Sequence, residues 1–87
     1  PTVTVKSSKK GYVTARWSAA DVEGYDVYYG TSKTSIKTAL AKGTTKKSAS
    51  KRLTSGKTYY FRARAYKTVN GKKVYTDYSS VKKIKIK

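Results

Sequence analysis

Tyr60-Phe61-Arg62-Ala63-Arg64-Ala65-Tyr66 alternates small or apolar residues with tyrosine and arginine, the side chains in this sequence best equipped for recognition. Alternate residues of an extended chain point to the same side, so Tyr60, Arg62, Arg64 and Tyr66 share one face. A guanidinium presents a planar fork of donors that fits carboxylate or phosphate, and it also stacks on aromatic rings. Tyrosine and arginine are enriched at binding hot spots. Tyr28, in Tyr25-Asp26-Val27-Tyr28-Tyr29, has the same outward phase in a second strand. The chemistry on offer at Tyr28, Tyr60, Arg62, Arg64 and Tyr66 is non-covalent recognition. The alternative use of the same residues is cross-strand pairing that only steadies a sheet.

Catalysis finds little to work with. The chain has no histidine to shuttle protons and no cysteine nucleophile. Asp21, Glu23 and Asp26 cluster as a carboxylate set, but their spacing and glycine do not match a calcium loop. Local relief of the surrounding positive charge is the simpler role. The expectation is a module without enzyme activity, metal or cofactor.

Charge is the second strong feature. Twenty-one lysines and arginines face four acids, a net charge of +17. That exceeds the magnitude of about 2–8 usual for a small soluble domain. Such a field attracts polyanions and costs stability through self-repulsion. Paired lysines at Lys9-Lys10, Lys46-Lys47, Lys72-Lys73 and Lys82-Lys83 also discourage edge-to-edge aggregation. No zinc-finger, helix-turn-helix or RNA-recognition signature accompanies the charge, so nucleic acid is expected to bind only non-specifically and in a salt-sensitive way.

These side chains must be positioned by a small core. The 87 residues read as one domain, 1–87. At this size folding buries roughly 60–65% of the unfolded surface, so nine tyrosines, one tryptophan and one phenylalanine must supply much of the interior. No disulfide can staple the chain, and no apolar run is long enough for membrane insertion. The opening Pro1-Thr2-Val3 lacks a methionine, which points to a domain of a longer protein.

Strand periodicity recurs along the chain. It places Val3, Val5, Val13, Ala15, Trp17, Tyr25, Val27, Tyr29, Tyr59, Phe61, Ala63 and Ala65 inward, with Asp26 and Tyr28 outward. The inward aromatics Trp17, Tyr25, Tyr29, Tyr59 and Phe61 are therefore assigned to the core rather than to a sugar-stacking platform. Ile36 to Ala41 reads as a short edge strand, with Ile36, Ala39 and Leu40 also fitting one and a half helical turns, Ser48 to Lys51 as an irregular strand, and Lys57 to Lys67 as the long one. Asn70-Gly71 is a hairpin signal. A bulge or kink near Ser79-Ser80 is required, because Tyr78, Val81 and the Ile84/Ile86 pair cannot share one period. The sum is an all-β, seven-stranded antiparallel sandwich.

Leu53-x-x-Gly56-x-x-Tyr59 leading into Phe61-x-Ala63-x-Ala65, with Trp17 and Gly24-Tyr25-Asp26-Val27-Tyr28-Tyr29 before it, resembles the fibronectin type III domain over almost the whole chain. The closing Tyr66-Lys67-x-x-Asn70-Gly71-Lys72-x-x-Tyr75-x-x-Tyr78-Ser79 is similar to variants in surface and secreted proteins of Gram-positive anaerobes. The resemblance implies an immunoglobulin-like sandwich with a tyrosine corner at Tyr59 and with the Tyr28 and Arg62 strands side by side. It implies a secreted or cell-surface spacer or accessory module, monomeric, whose partners are neighbouring domains and anionic cell-wall polymers or glycans. A dedicated polyanion-binding module is the alternative. Two departures stand out. Ser50, with Ser48 before it, occupies the place of an apolar residue three before the corner leucine, which implies a thin core there. No Arg-Gly-Asp lies between Lys67 and Lys72, so integrin binding does not carry over.

Overall fold

A computed structural model describes all of residues 1–87, and the fold is all-β. Eight strands form: β1 Thr2–Lys6, β2 Tyr12–Ser18, β3 Gly24–Gly30, β4 Thr38–Thr44, β5 Ser48–Arg52, β6 Thr58–Val69, β7 Lys72–Tyr75 and β8 Lys82–Lys85. One sheet has the order β1-β2-β5, and the other the order β4-β3-β6-β7 with β8 also on β6. All pairings are antiparallel. No helix is long and apolar enough to cross a membrane.

The sheets share one core. Val3, Val13, Ala15 and Trp17 come from the first sheet, and Tyr25, Val27, Tyr59, Phe61, Ala63 and Ala65 from the second. The inward phase read from the sequence holds: Trp17 is 3% exposed and Phe61 0%. Burying a side chain such as Phe61 contributes about 1.5–3 kcal/mol. The Trp17 indole N–H donates to the Lys46 carbonyl at 2.8 Å, so its polar edge is satisfied inside the core rim. The Tyr59 hydroxyl accepts the Thr54 amide at 3.1 Å, which ties the side chain to the turn before β6.

The strand count corrects the seven expected. β7 pairs with the far half of β6, Tyr66 to Val69, and β8 with its near half, Thr58 to Phe61. Between them the chain leaves regular geometry, and hydroxyl side chains complete the ladder. The Thr76 amide donates to the Ala65 carbonyl, and the Ala65 amide donates to Thr76 Oγ1 at 3.0 Å. Ser79 repeats the arrangement with Ala63. This is the irregularity that the clashing periods of Tyr78 and Val81 demanded.

Three further expectations are corrected. β4 begins at Thr38, and Ile36 is buried in the loop before it. Gly30 permits this approach, because a Cβ there would collide with the Ser35 carbonyl. In β5, Ala49 pairs with Ala15 and Lys51 with Val13, so these two face the core and the serines face out. The interior is thin there, and the Lys51 ammonium lies 5.8 Å from the Tyr29 ring centre. Asp26 has the outward phase expected of it but is buried, 1% exposed. Its cover comes from other strands.

Candidate functional site

The outer face of the larger sheet brings all five candidate residues together. Tyr28 lies opposite Arg62, Asp26 opposite Arg64, Gly24 opposite Tyr66 and Gly30 opposite Tyr60. On the next strand, Tyr75 lies opposite Tyr66. Directly opposed residues of an antiparallel pair share a face. Arg62, Arg64 and Tyr66 therefore sit between β3 on one side and β7, with the segment after it, on the other.

The side chains interleave as a ladder of rings and guanidinium groups. The Arg64 guanidinium lies 3.8 Å from the Tyr75 ring centre and 5.3 Å from that of Tyr78. Arg62 lies 4.0 Å from the Tyr78 ring centre. Tyr28 meets Tyr78 edge to face, and Tyr66 meets Tyr75 likewise. The Lys73 ammonium closes the far end, 4.2 Å above the Tyr66 ring. Each exposed cation–π contact contributes about 0.5–1 kcal/mol, so the ladder stabilises the sheet and keeps both guanidinium groups against the rings.

Asp26 anchors the ladder from beneath. Its Oδ1 accepts the Gly43 amide at 2.8 Å, and its Oδ2 lies 3.4 Å from Arg64 Nε. Gly43 reaches this position with a φ of 65° beside a bulge in the β3–β4 pairing. Burial on its own lowers the Arg64 pKa, but Tyr78, Asp26, Tyr28 and Tyr75 around it raise it overall. Arg62 differs: its Nε is buried with no hydrogen-bond partner. The Tyr66 ring lies flat over Gly24, where a Cβ would overlap it, and its hydroxyl donates to the Gly43 carbonyl at 3.4 Å.

The three clustered acids separate in space by function. Asp26 lies under Arg64, and Glu23 accepts the Thr68 hydroxyl at 2.7 Å. Asp21 occupies a loop position with a φ of 57°.

Tyr75, Tyr78 and Asp26 join the site beyond the five residues read from the sequence. Tyr75 was within reach: counting outward from Asn70-Gly71 pairs Val69 with Lys72 and, three steps on, Tyr66 with Tyr75, as observed. Tyr78 gave no such signal, because it lies in the irregular segment between β7 and β8. Surface hollows occur elsewhere, for example among Thr2, Thr4, Arg16 and Ser18 on the smaller sheet, and the ladder lines none of them. No protein-family model and no curated protein matches the chain. The ladder presents two guanidinium groups, each against a tyrosine ring, on one face of the sheet.

Proposed function

We propose that the chain is a non-catalytic module of fibronectin type III kind, a spacer or accessory domain of a bacterial secreted or cell-surface protein, adhering weakly to anionic polymers. The observation that carries the spacer role is the placement of its two ends. Thr2 pairs with Ser18, the last residue of β2. Lys87 gives its amide to Ser7 Oγ, and its carbonyl accepts the amide of Gly11, just before β2 begins. The ends therefore lie at opposite poles of β2. A chain continuing from both ends would enter at one pole and leave at the other, an arrangement that suits a spacer.

The fibronectin type III kind is supported by the Tyr59 corner, and by β7 and β8 following one edge of β6, so that eight strands occupy seven positions. The bacterial and extracellular setting rests on the motif from Tyr66 to Ser79. Adhesion is supported by charge: one ion pair, Arg64–Asp26, leaves nearly all of the cations unpaired. The second reading, a dedicated polyanion-binding module, is favoured by one observation, the guanidinium groups of Arg62 and Arg64 side by side on one face, each against a tyrosine ring. Titration against nucleic acid, a heparin-like glycan and a neutral polysaccharide at two salt concentrations separates the readings. A spacer binds the polyanions weakly and loses them with salt, whereas a dedicated module keeps a preference among them at the higher concentration.

A further inference from the structure

Cations recur at every level of the larger sheet's outer face. Lys85 lies opposite Thr58 and Lys83 opposite Tyr60, so both share the face of Tyr60, Arg62 and Arg64. Arg62 and Arg64 supply the next two levels. Lys73 pairs with Thr68, but its ammonium lies over the Tyr66 ring and fills that level too. Same-face residues of a strand are about 6.7 Å apart. Five successive levels therefore carry one positive charge each, over about 27 Å. The row follows one edge of β6: β7 and β8 flank that edge, and both guanidinium groups lean towards it, onto Tyr75 and Tyr78. Two acids reach this face: Asp26 is buried under Arg64, and Glu23 lies at the far end, where its carboxylate accepts the hydroxyl of Thr68, the residue paired with Lys73. The exposed Asp77 sits at one margin, in the segment between β7 and β8.

We propose that this row binds a linear, base-free phosphodiester polymer laid along β6, its phosphates meeting Lys85, Lys83, Arg62, Arg64 and Lys73 in turn. The inference rests on the adhesion reading above and names its ligand class and surface. Charge complementarity selects the occupant. Single-stranded nucleic acid relies on open aromatic faces for its bases. Here Tyr66 packs over Gly24 with Lys73 against its ring, Tyr75 and Tyr78 each hold a guanidinium, and only Tyr60 among the aromatics beside the row has neither a ring nor a cation against it, too few open faces for a run of bases. The regular feature of the face is its charge spacing, and a phosphodiester chain with short polyol linkers presents charges at a comparable interval.

The test compares synthetic poly(glycerol phosphate) with oligothymidylate of equal charge, by fluorescence anisotropy over a series of salt concentrations. Five phosphate contacts give a slope of log affinity against log salt of about −3.5, at about −0.7 per contact. Lys83→Gln with Lys85→Gln reduces the slope to about −2 and lowers affinity about tenfold or more at low salt. Arg16→Gln with Lys47→Gln, an equal loss of charge on and beside the smaller sheet, changes both little. Equal effects from the two pairs overturn the row and leave diffuse adhesion standing. Tighter binding of oligothymidylate than of poly(glycerol phosphate) overturns the base-free ligand. Failure of both polymers to bind at low salt overturns the row and the adhesion reading together.

Discussion

Replacing Asp26 tests whether the ladder is organised from beneath. In Asp26→Ala two interactions are lost. The first is the 2.8 Å bond from the Gly43 amide. A hydrogen bond to a charged group contributes about 1.5–3 kcal/mol, and the lower end applies because Gly43 is exposed and its N–H can turn to water. The second is the 3.4 Å contact with Arg64, whose side chain is 27% exposed while that of Asp26 is 1% exposed. A pair open to water on one side adds about 0.5–1 kcal/mol. The sum is a loss of about 2 kcal/mol, or about 8–16 °C in melting temperature for a domain of this size. Asp26→Asn keeps an acceptor for Gly43 and gives up the charge, so about half of that loss is expected. Urea unfolding of the three proteins, supported by thermal melts, measures the difference. A double-mutant cycle with Arg64→Met isolates the pair. An Asp26→Ala protein within about 0.5 kcal/mol of the parent refutes the reasoning, since that is the ordinary scatter of surface substitutions. A coupling of zero with Arg64 leaves the carboxylate as a backbone clamp for β4 only.

Tyr59→Phe removes the acceptor of the Thr54 amide and is expected to cost about 1 kcal/mol; an unchanged urea midpoint would show that the corner bond contributes nothing. Gly71→Ala places a Cβ at a φ of 78°, next to Asn70 at 52°. It should destabilise by about 1–2 kcal/mol, and a neutral result in the same melts means that the turn relaxes without penalty. Raising sodium chloride from low to moderate concentration should raise the melting temperature, because the Debye length falls to about 10 Å at 0.1 M and like-charge repulsion is screened. A flat or falling melting temperature would mean that the exposed lysines do not strain the fold.

Much of this molecule is local in origin and therefore legible along the chain. A period of two assigns a side of the sheet to each residue without reference to any other strand, which is why Trp17, Tyr25, Val27, Phe61 and Ala63 were recognisable as core. The Asn70-Gly71 turn needs positive φ at both residues, and that requirement sets the β6–β7 register as far as Tyr66 and Tyr75. The outward phase of Tyr28, Tyr60, Arg62, Arg64 and Tyr66 was equally plain. So was the excess of positive charge, which is a matter of composition.

What periodicity cannot encode is which residue lies alongside. Asp26 has the phase of an exposed residue, and it is buried because Arg64 and Gly43 arrive from strands distant in sequence. The inner face of β5 fell to Ala49 and Lys51 because pairing with β2 set its register, where its own composition favoured neither side. Tyr78 entered the ladder through a segment with no period at all, held by hydroxyl groups in place of a regular strand. The five-level row of cations combines three strands, and two of them dock on the same edge of β6. Along the chain one can read which residues of a strand share a side, because that depends only on the strand's own backbone, and which of the two sides is buried wherever one of them is apolar. The tertiary structure alone decided which charges stand next to which rings, because that depends on sheet order and on how two sequence-distant edges meet.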